Sequence, residues 1–155
     1  MDSFDRIKIK KHNAVISLHQ IGNFIPCVQF RMIKDCLKSE EWEFFADKIE
    51  DLRHIIHTMP KVYEQDGKGE EAVVYLHYFE LFRKFDYYIT EKDTSPEQEQ
   101  AFGMYSGRQC PATLGYIDIT PKCQAKTSMK TDIMELDIYW TPKTIREIKE
   151  KENHG

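Results

Sequence analysis

The apolar residues of this 155-residue chain change their spacing near Ala72, and that change restricts the folds open to it. Upstream, Trp42, Phe45, Ile49, Leu52 and Ile56 recur at intervals of 3, 4, 3 and 4, one narrow stripe of an amphipathic helix. Downstream, residues 72–79 are β-branched and aromatic on both alternating sets, as in a strand covered on two faces. Helices followed by strands predict an α+β fold. A mainly antiparallel sheet from the C-terminal half packs against N-terminal helices in a single domain. At 155 residues the chain has room for one such domain and its core, and for no second one.

The expected elements follow from local signals. In residues 6–18, Ile7 and Ile9 alternate with lysines and a turn is readable at Lys11-His12-Asn13, which predicts a hairpin or two short strands. Asn23 is placed to cap a helix starting near Ile25, with Pro26 in its first turn and Phe30, Ile33 and Leu37 on its inner side. Ser39 opens the stronger helix, with Glu40 and Glu41 in its first turn, and Met59-Pro60 ends it. Further strands are expected at 86–90, 101–105, 114–119 and 134–140, the last alternating with its apolar residues at even numbers. Residues 120–132 read as a loop or weak helix, and Thr141-Pro142 starts a short helix carrying Ile145 and Ile148. The division is thus a hairpin plus two helices over 1–58, a sheet region over 59–150 and a frayed tail over 151–155.

Charge limits the function classes. Against 26 acidic residues stand 22 basic ones, a net charge of −4, whereas a sequence-independent nucleic-acid binder carries a basic excess. The one basic cluster is Arg6, Lys8, Lys10 and Lys11, which with stacking tyrosines would be the nucleic-acid reading. No run approaches the ~20 apolar residues of a membrane span, and no signal peptide is visible, so a soluble cytoplasmic protein without membrane association is expected. Cys27, Cys36, Cys110 and Cys123 match no zinc-ribbon spacing and read as reduced thiols, with Cys27 and Cys36 in the core.

The segments Met59-Pro60-Lys61-Val62-Tyr63-Glu64-Gln65-Asp66-Gly67, Tyr75-Leu76-His77-Tyr78-Phe79 and Asp86-Tyr87-Tyr88-Ile89-Thr90-Glu91-Lys92-Asp93 occur in order. Gln100-Ala101-Phe102-Gly103, Leu114-Gly115-Tyr116-Ile117 and Glu135-Leu136-Asp137-Ile138-Tyr139-Trp140-Thr141-Pro142 follow them. This series, over about residues 59–148, resembles the uncharacterised family catalogued as domain of unknown function 2958. Where that family tends to have Glu before its Leu-Gly-Tyr, this chain has Thr113. The resemblance implies a bacterial setting on a plasmid, phage or other mobile element, and it brings no catalytic residues.

Three chemistries compete on the residues themselves. His77, in an aromatic strand, could run acid/base chemistry as a small hydrolase with Asp86 or Glu91 as its carboxylate. The plain alternative is a half-buried histidine bonded to backbone. No nucleophile elbow, HExxH or phosphate loop is present, and no cofactor or metal is expected. His54 and His57 share a helix side with Glu50, one turn beyond Asp47, but read as a solvated face; Glu135 and Asp137 read likewise. The third signal is the aromatic excess of 8 Tyr, 9 Phe and 2 Trp, concentrated on the strands. It favours a sheet face that binds a partner, with Tyr75, Tyr88, Glu91, Asp93 and Tyr116 as contacts and the acidic 86–99 loop at its rim. The leading expectation is therefore a protein-binding or regulatory accessory module acting on a host or element-encoded protein, with counter-defence one version. The hydrolase and nucleic-acid readings stand as alternatives.

Overall fold

The computed structural model, which describes residues 2–93, 100–119 and 134–154, begins with an 18-residue helix, α1 (Ser3–Gln20). This corrects the hairpin expected over 6–18. Asp2 caps the helix, its carboxylate accepting the Asp5 N–H at 2.8 Å. The inward residues are Ala14, Ser17, Leu18 and Ile21, at helical spacing, while Ile7, Ile9 and Ile16 stand exposed. The Lys-Ile alternation is thus no strand signal, and the residues that α1 buries are Ala14, Ser17 and Leu18 rather than the isoleucines.

A short 3₁₀ turn (Gly22–Phe24) leads to α2 (Cys27–Cys36), which starts after Pro26, two residues later than Asn23 capping would place it. The strongest expected helix forms as α3 (Trp42–Thr58), burying Ala46, Ile49, Leu52 and Ile56. Ile49, Leu52 and Ile56 each contribute roughly 1.5–3 kcal/mol through burial. Ser39 bridges the two helices, its hydroxyl donating to the Cys36 carbonyl at 2.7 Å and accepting the Glu41 N–H at 3.2 Å.

The sheet follows as β1 (Val73–Val74), β2 (Leu76–Glu80), β3 (Phe85–Glu91), β4 (Ala101–Gly107), β5 (Cys110–Ile117), β6 (Met134–Leu136) and β7 (Lys143–Thr144). Five strands are antiparallel in the order β5-β4-β3-β2-β6, and β1 pairs β7 in a separate ribbon. The strand expected at 72–79 is therefore broken at Tyr75. The last helix, α4 (Ile145–His154), continues through residues expected to fray after Glu150. Residues 94–99 of the acidic loop, the 120–132 segment and Cys123 lie outside the described residues.

One face of the sheet presents Leu76, Tyr78, Tyr87, Ile89, Ala101, Met134 and Leu136 to the helical layer α1–α3. Tyr78 is fully buried there and donates its hydroxyl to the Phe24 carbonyl. The opposite face, expected to be free for a partner, is partly occupied: Val74, Tyr88 and Met104 pack with Ile145 and Ile148 of α4, and Trp140 closes the cluster.

Strand β6 is shorter than the alternation predicts. After Leu136 the chain turns, and the Tyr139 N–H donates to the Asp137 carboxylate at 3.0 Å. On its outer edge, Gln29 of α2 forms both hydrogen bonds to the Leu136 backbone, each 2.8 Å, so a side-chain amide replaces a neighbouring strand. Gln29→Ala is expected to lower stability by about 2 kcal/mol, since a part-buried donor and acceptor lose their partners together. Urea unfolding measures it, and a loss under about 0.5 kcal/mol would mean that water satisfies this edge.

Candidate binding site

The β2–β3 register sets His77 opposite Tyr88, and the imidazole stacks on the Tyr88 ring at 4.8 Å between centroids and 11° between planes. Trp140 lies at 5.0 Å, its indole N–H held by the Val74 carbonyl at 3.1 Å. His77 Nε2 meets Asp86 Oδ1 at 2.7 Å, and Nδ1 meets Asp137 Oδ2 at 3.0 Å. Burial disfavours the imidazolium, but the two carboxylates outweigh it and raise the His77 pKa above its ordinary value. Tyr88 is pushed far above the usual phenol range, by burial first and then by the charges of Asp86 and Glu152.

This geometry bears on acid/base chemistry. A general base must present a free ring nitrogen to its substrate. Both nitrogens of His77 face carboxylates, so the histidine ties β2, β3 and the segment after β6 together. Asp86 is one partner, as the strand spacing suggested; Glu91 is not. Asp137, read from the sequence as a solvent-face residue, is the other. The reason is local: the ladder ends at Leu136, and the Asp137 N–H then donates to the His77 carbonyl at 2.9 Å, turning its carboxylate onto the ring.

A second site lies at the other end of β3. The register between β3 and β4 shifts between Ile89 and Glu91, a bulge that gives Glu91 a place outside the regular alternation. The loop 61–72 folds over this point. Gln65 anchors it, with its amide N–H groups donating to the carbonyls of Val73 (2.9 Å) and Thr90 (2.8 Å) and its oxygen accepting the Val73 N–H (2.8 Å). Gly67 and Tyr63 both adopt φ near +80°, a conformation natural to the glycine and strained for the tyrosine. Between loop and sheet is a cavity of about 380 Å³ whose lining includes Tyr63, Gln65, Glu91, Phe102, Leu114 and Ile145.

Glu91 is 4% exposed. Its oxygens accept one hydrogen bond each, from the Gln65 N–H at 3.2 Å and the Thr90 hydroxyl at 2.5 Å. Among the described residues no cation pairs with it. At the rim the Tyr63 and Tyr116 hydroxyls bond each other at 2.8 Å, and Phe102 meets Tyr116 edge-on at 5.5 Å. The Tyr116 phenol is raised above its usual pKa by the bond to Tyr63, then by desolvation, with Tyr63 and the Glu91 charge adding to it.

Of the five binding residues expected from the sequence, the structure places Glu91 in the lining of this cavity and Tyr116 next to it, against Tyr63 and Phe102. Tyr88 is buried against His77 and donates to Glu152 at 3.2 Å, which removes it from the surface. Tyr75 is half-buried against the helix-side core, and Asp93 accepts the Gln100 N–H at 3.1 Å. Tyr63 and Gln65 were missed. The Asp66-Gly67 pair marks a turn in the sequence, but nothing local says what the turn covers.

The remaining candidates sit apart. In the basic segment, Lys10 is bound to Asp47 at 3.0 Å and Glu43 at 3.4 Å, and Lys11 lies over the Trp42 ring. His54 and His57 are exposed, whereas Glu50 is engaged by Ser17 and Arg53. Among the described residues no group of three or more His, Cys, Asp or Glu is placed to hold a metal ion, and no helix is long and apolar enough to cross a membrane. Cys27 and Cys36 are half-buried free thiols, which corrects their expected place in the core. The chain matches no protein-family model, no curated protein and no solved structure.

Proposed function

We propose that this chain is a non-enzymatic binding module whose contact surface is the mouth of the Glu91 cavity. The observation that carries the reading is the cavity's rim. Tyr63 and Leu114 of the lining remain 70% and 54% exposed, and Tyr116, bonded to Tyr63, is 51% exposed, although Tyr78, Tyr87 and Tyr88 of the same sheet are buried. Exposed tyrosines around an apolar recess match the composition of protein-binding surfaces, where large side chains with few torsions anchor a partner. The partner this reading names is a host or element-encoded protein, and a mobile-element setting with a regulatory role is what the sequence resemblance supports. The engagement of both His77 nitrogens speaks for binding over hydrolysis, and the acid-paired Lys10 for protein over nucleic acid.

The test is capture of the tagged protein's partner from bacterial lysate, with and without nuclease. One stoichiometric protein is expected to survive nuclease with the wild type and to be lost with Leu114→Asp and Tyr116→Asp. Phe82→Asp should retain it, because Phe82 is 66% exposed but sits at the far end of the β2–β3 hairpin. That end is roughly 20 Å along β3 from Glu91. Capture that vanishes with nuclease, or that all three variants reduce alike, overturns the proposal.

A further inference from the structure

We infer that the Glu91 cavity takes an organic cation, an ammonium or guanidinium group carried on a short apolar chain; the inference rests on the binding reading and specifies its chemistry. A carboxylate has about four lone-pair positions, and Glu91 uses two, one on each oxygen. Its charge is almost wholly withdrawn from water and has no counter-ion among the described residues, an expensive state unless a ligand supplies the opposite charge. The bulge at the end of β3 places this group where the alternating strand would not, beside a cavity rather than in the core. A second acid, Asp66, belongs to the same lining.

The walls set the rest of the ligand. Phe102, Leu114, Ala72 and Ile145 are apolar, and the volume of about 380 Å³ far exceeds that of a bare metal ion, so the cation needs a hydrocarbon body to fill it. Tyr63 and Phe102, both in the lining, add aromatic rings suited to a delocalised cation. A guanidinium satisfies the open lone pairs through two parallel N–H groups, and an ammonium satisfies them through a point charge.

Titration of the full chain with butylguanidinium, followed by calorimetry and by amide NMR shifts, tests this directly. Saturable binding at one site is expected, with the neutral isostere butylurea about tenfold weaker or worse. Glu91→Gln should remove the preference. Leu114→Trp, which narrows the mouth at an exposed position, should weaken both probes while leaving Glu91 and the fold intact. Equal binding of the two probes, absence of saturable butylguanidinium binding, or binding indifferent to both variants overturns the inference. Nα-acetyl-arginine methylamide separates the sources: competition by it assigns the cation to a partner's side chain, and failure beside successful butylguanidinium binding assigns it to a free small molecule. If partner capture depends on Leu114 and Tyr116 but neither cationic probe binds, the cation inference falls and the binding module stands. If the probes bind but no partner is captured, the reverse holds.

Discussion

Gly103→Ala is expected to lower the stability of the protein by about 3 kcal/mol, the upper end of the usual cost of overpacking. For a chain of this length that is roughly 9 °C in melting temperature. Gly103 lies in β4 opposite Ile89, and a Cβ built on it would stand 1.9 Å from the Tyr88 carbonyl oxygen and 3.0 Å from the Ile89 Cα. Both obstacles are backbone, so no rotamer change relieves them and β3 must part from β4. The damage would spread to both ends of β3, because Tyr88 carries the stack on His77 and the bulge at Glu91 begins just beyond. Gly115→Ala provides the contrast. There the added carbon would stand 3.3 Å from a Tyr105 ring carbon, a side chain that can yield, and a change below about 1 kcal/mol is expected. Urea unfolding of the two variants side by side measures the difference. Equal losses would mean that the close backbone approach is not what demands glycine at 103.

His77→Leu is expected to cost about 3 kcal/mol near pH 6 and distinctly less near pH 9. The imidazolium donates to Asp86 and Asp137 at once, and its removal leaves two carboxylates converging on an apolar side chain. His77 has its pKa raised in the folded state relative to its ordinary value, although burial, the largest single influence, acts the other way. A group of that kind stabilises fully below its unfolded pKa of about 6.5, and the contribution is lost as pH rises through the higher folded value. A neutral ring can donate to only one of its two carboxylates, so the clamp weakens in that window without vanishing. Unfolding free energies of wild type and variant across about pH 6 to 9 test the sign. A difference that stays flat or widens with pH would show that His77 is not held as a cation. The same result would restore the free nitrogen that the hydrolase reading requires.

The elements legible in the sequence share one property: their signal lies within one or two turns of chain. The α3 stripe from Trp42 to Ile56 declares itself because a buried face repeats at the helix's own period, and β3 and β4 because aromatic and β-branched residues cluster in short runs. The α1 error has the same origin. Ile7 and Ile9 are large and conspicuous but exposed, whereas the buried residues of the helix are Ala14, Ser17 and Leu18, two of them too small or polar to stand out. Which apolar residues count is decided by the surface they meet, and that surface is elsewhere in the sequence.

The candidate sites divide in the same way. That His77 could meet Asp86 was one of two pairings readable, since two strands joined by a short turn bring such residues to diagonal positions across the hairpin. That Asp137 completes the pair was not, because it depends on where β6 stops and on Gln29 holding that edge from 107 residues away. The Glu91 cavity is further still from any local pattern. It needs a one-residue register shift between β3 and β4, a loop anchored by Gln65 and a hydroxyl contact between Tyr63 and Tyr116, 53 residues apart. From the sequence alone came the α+β class, most of the order of elements after α1 and the residue types from which a site could be built, because periodicity and composition are properties of short stretches. The tertiary structure alone decided which of those residues are buried, which are paired and which surround an open cavity. Register, bulges and loop closure are settled by contacts between distant segments competing for the same space.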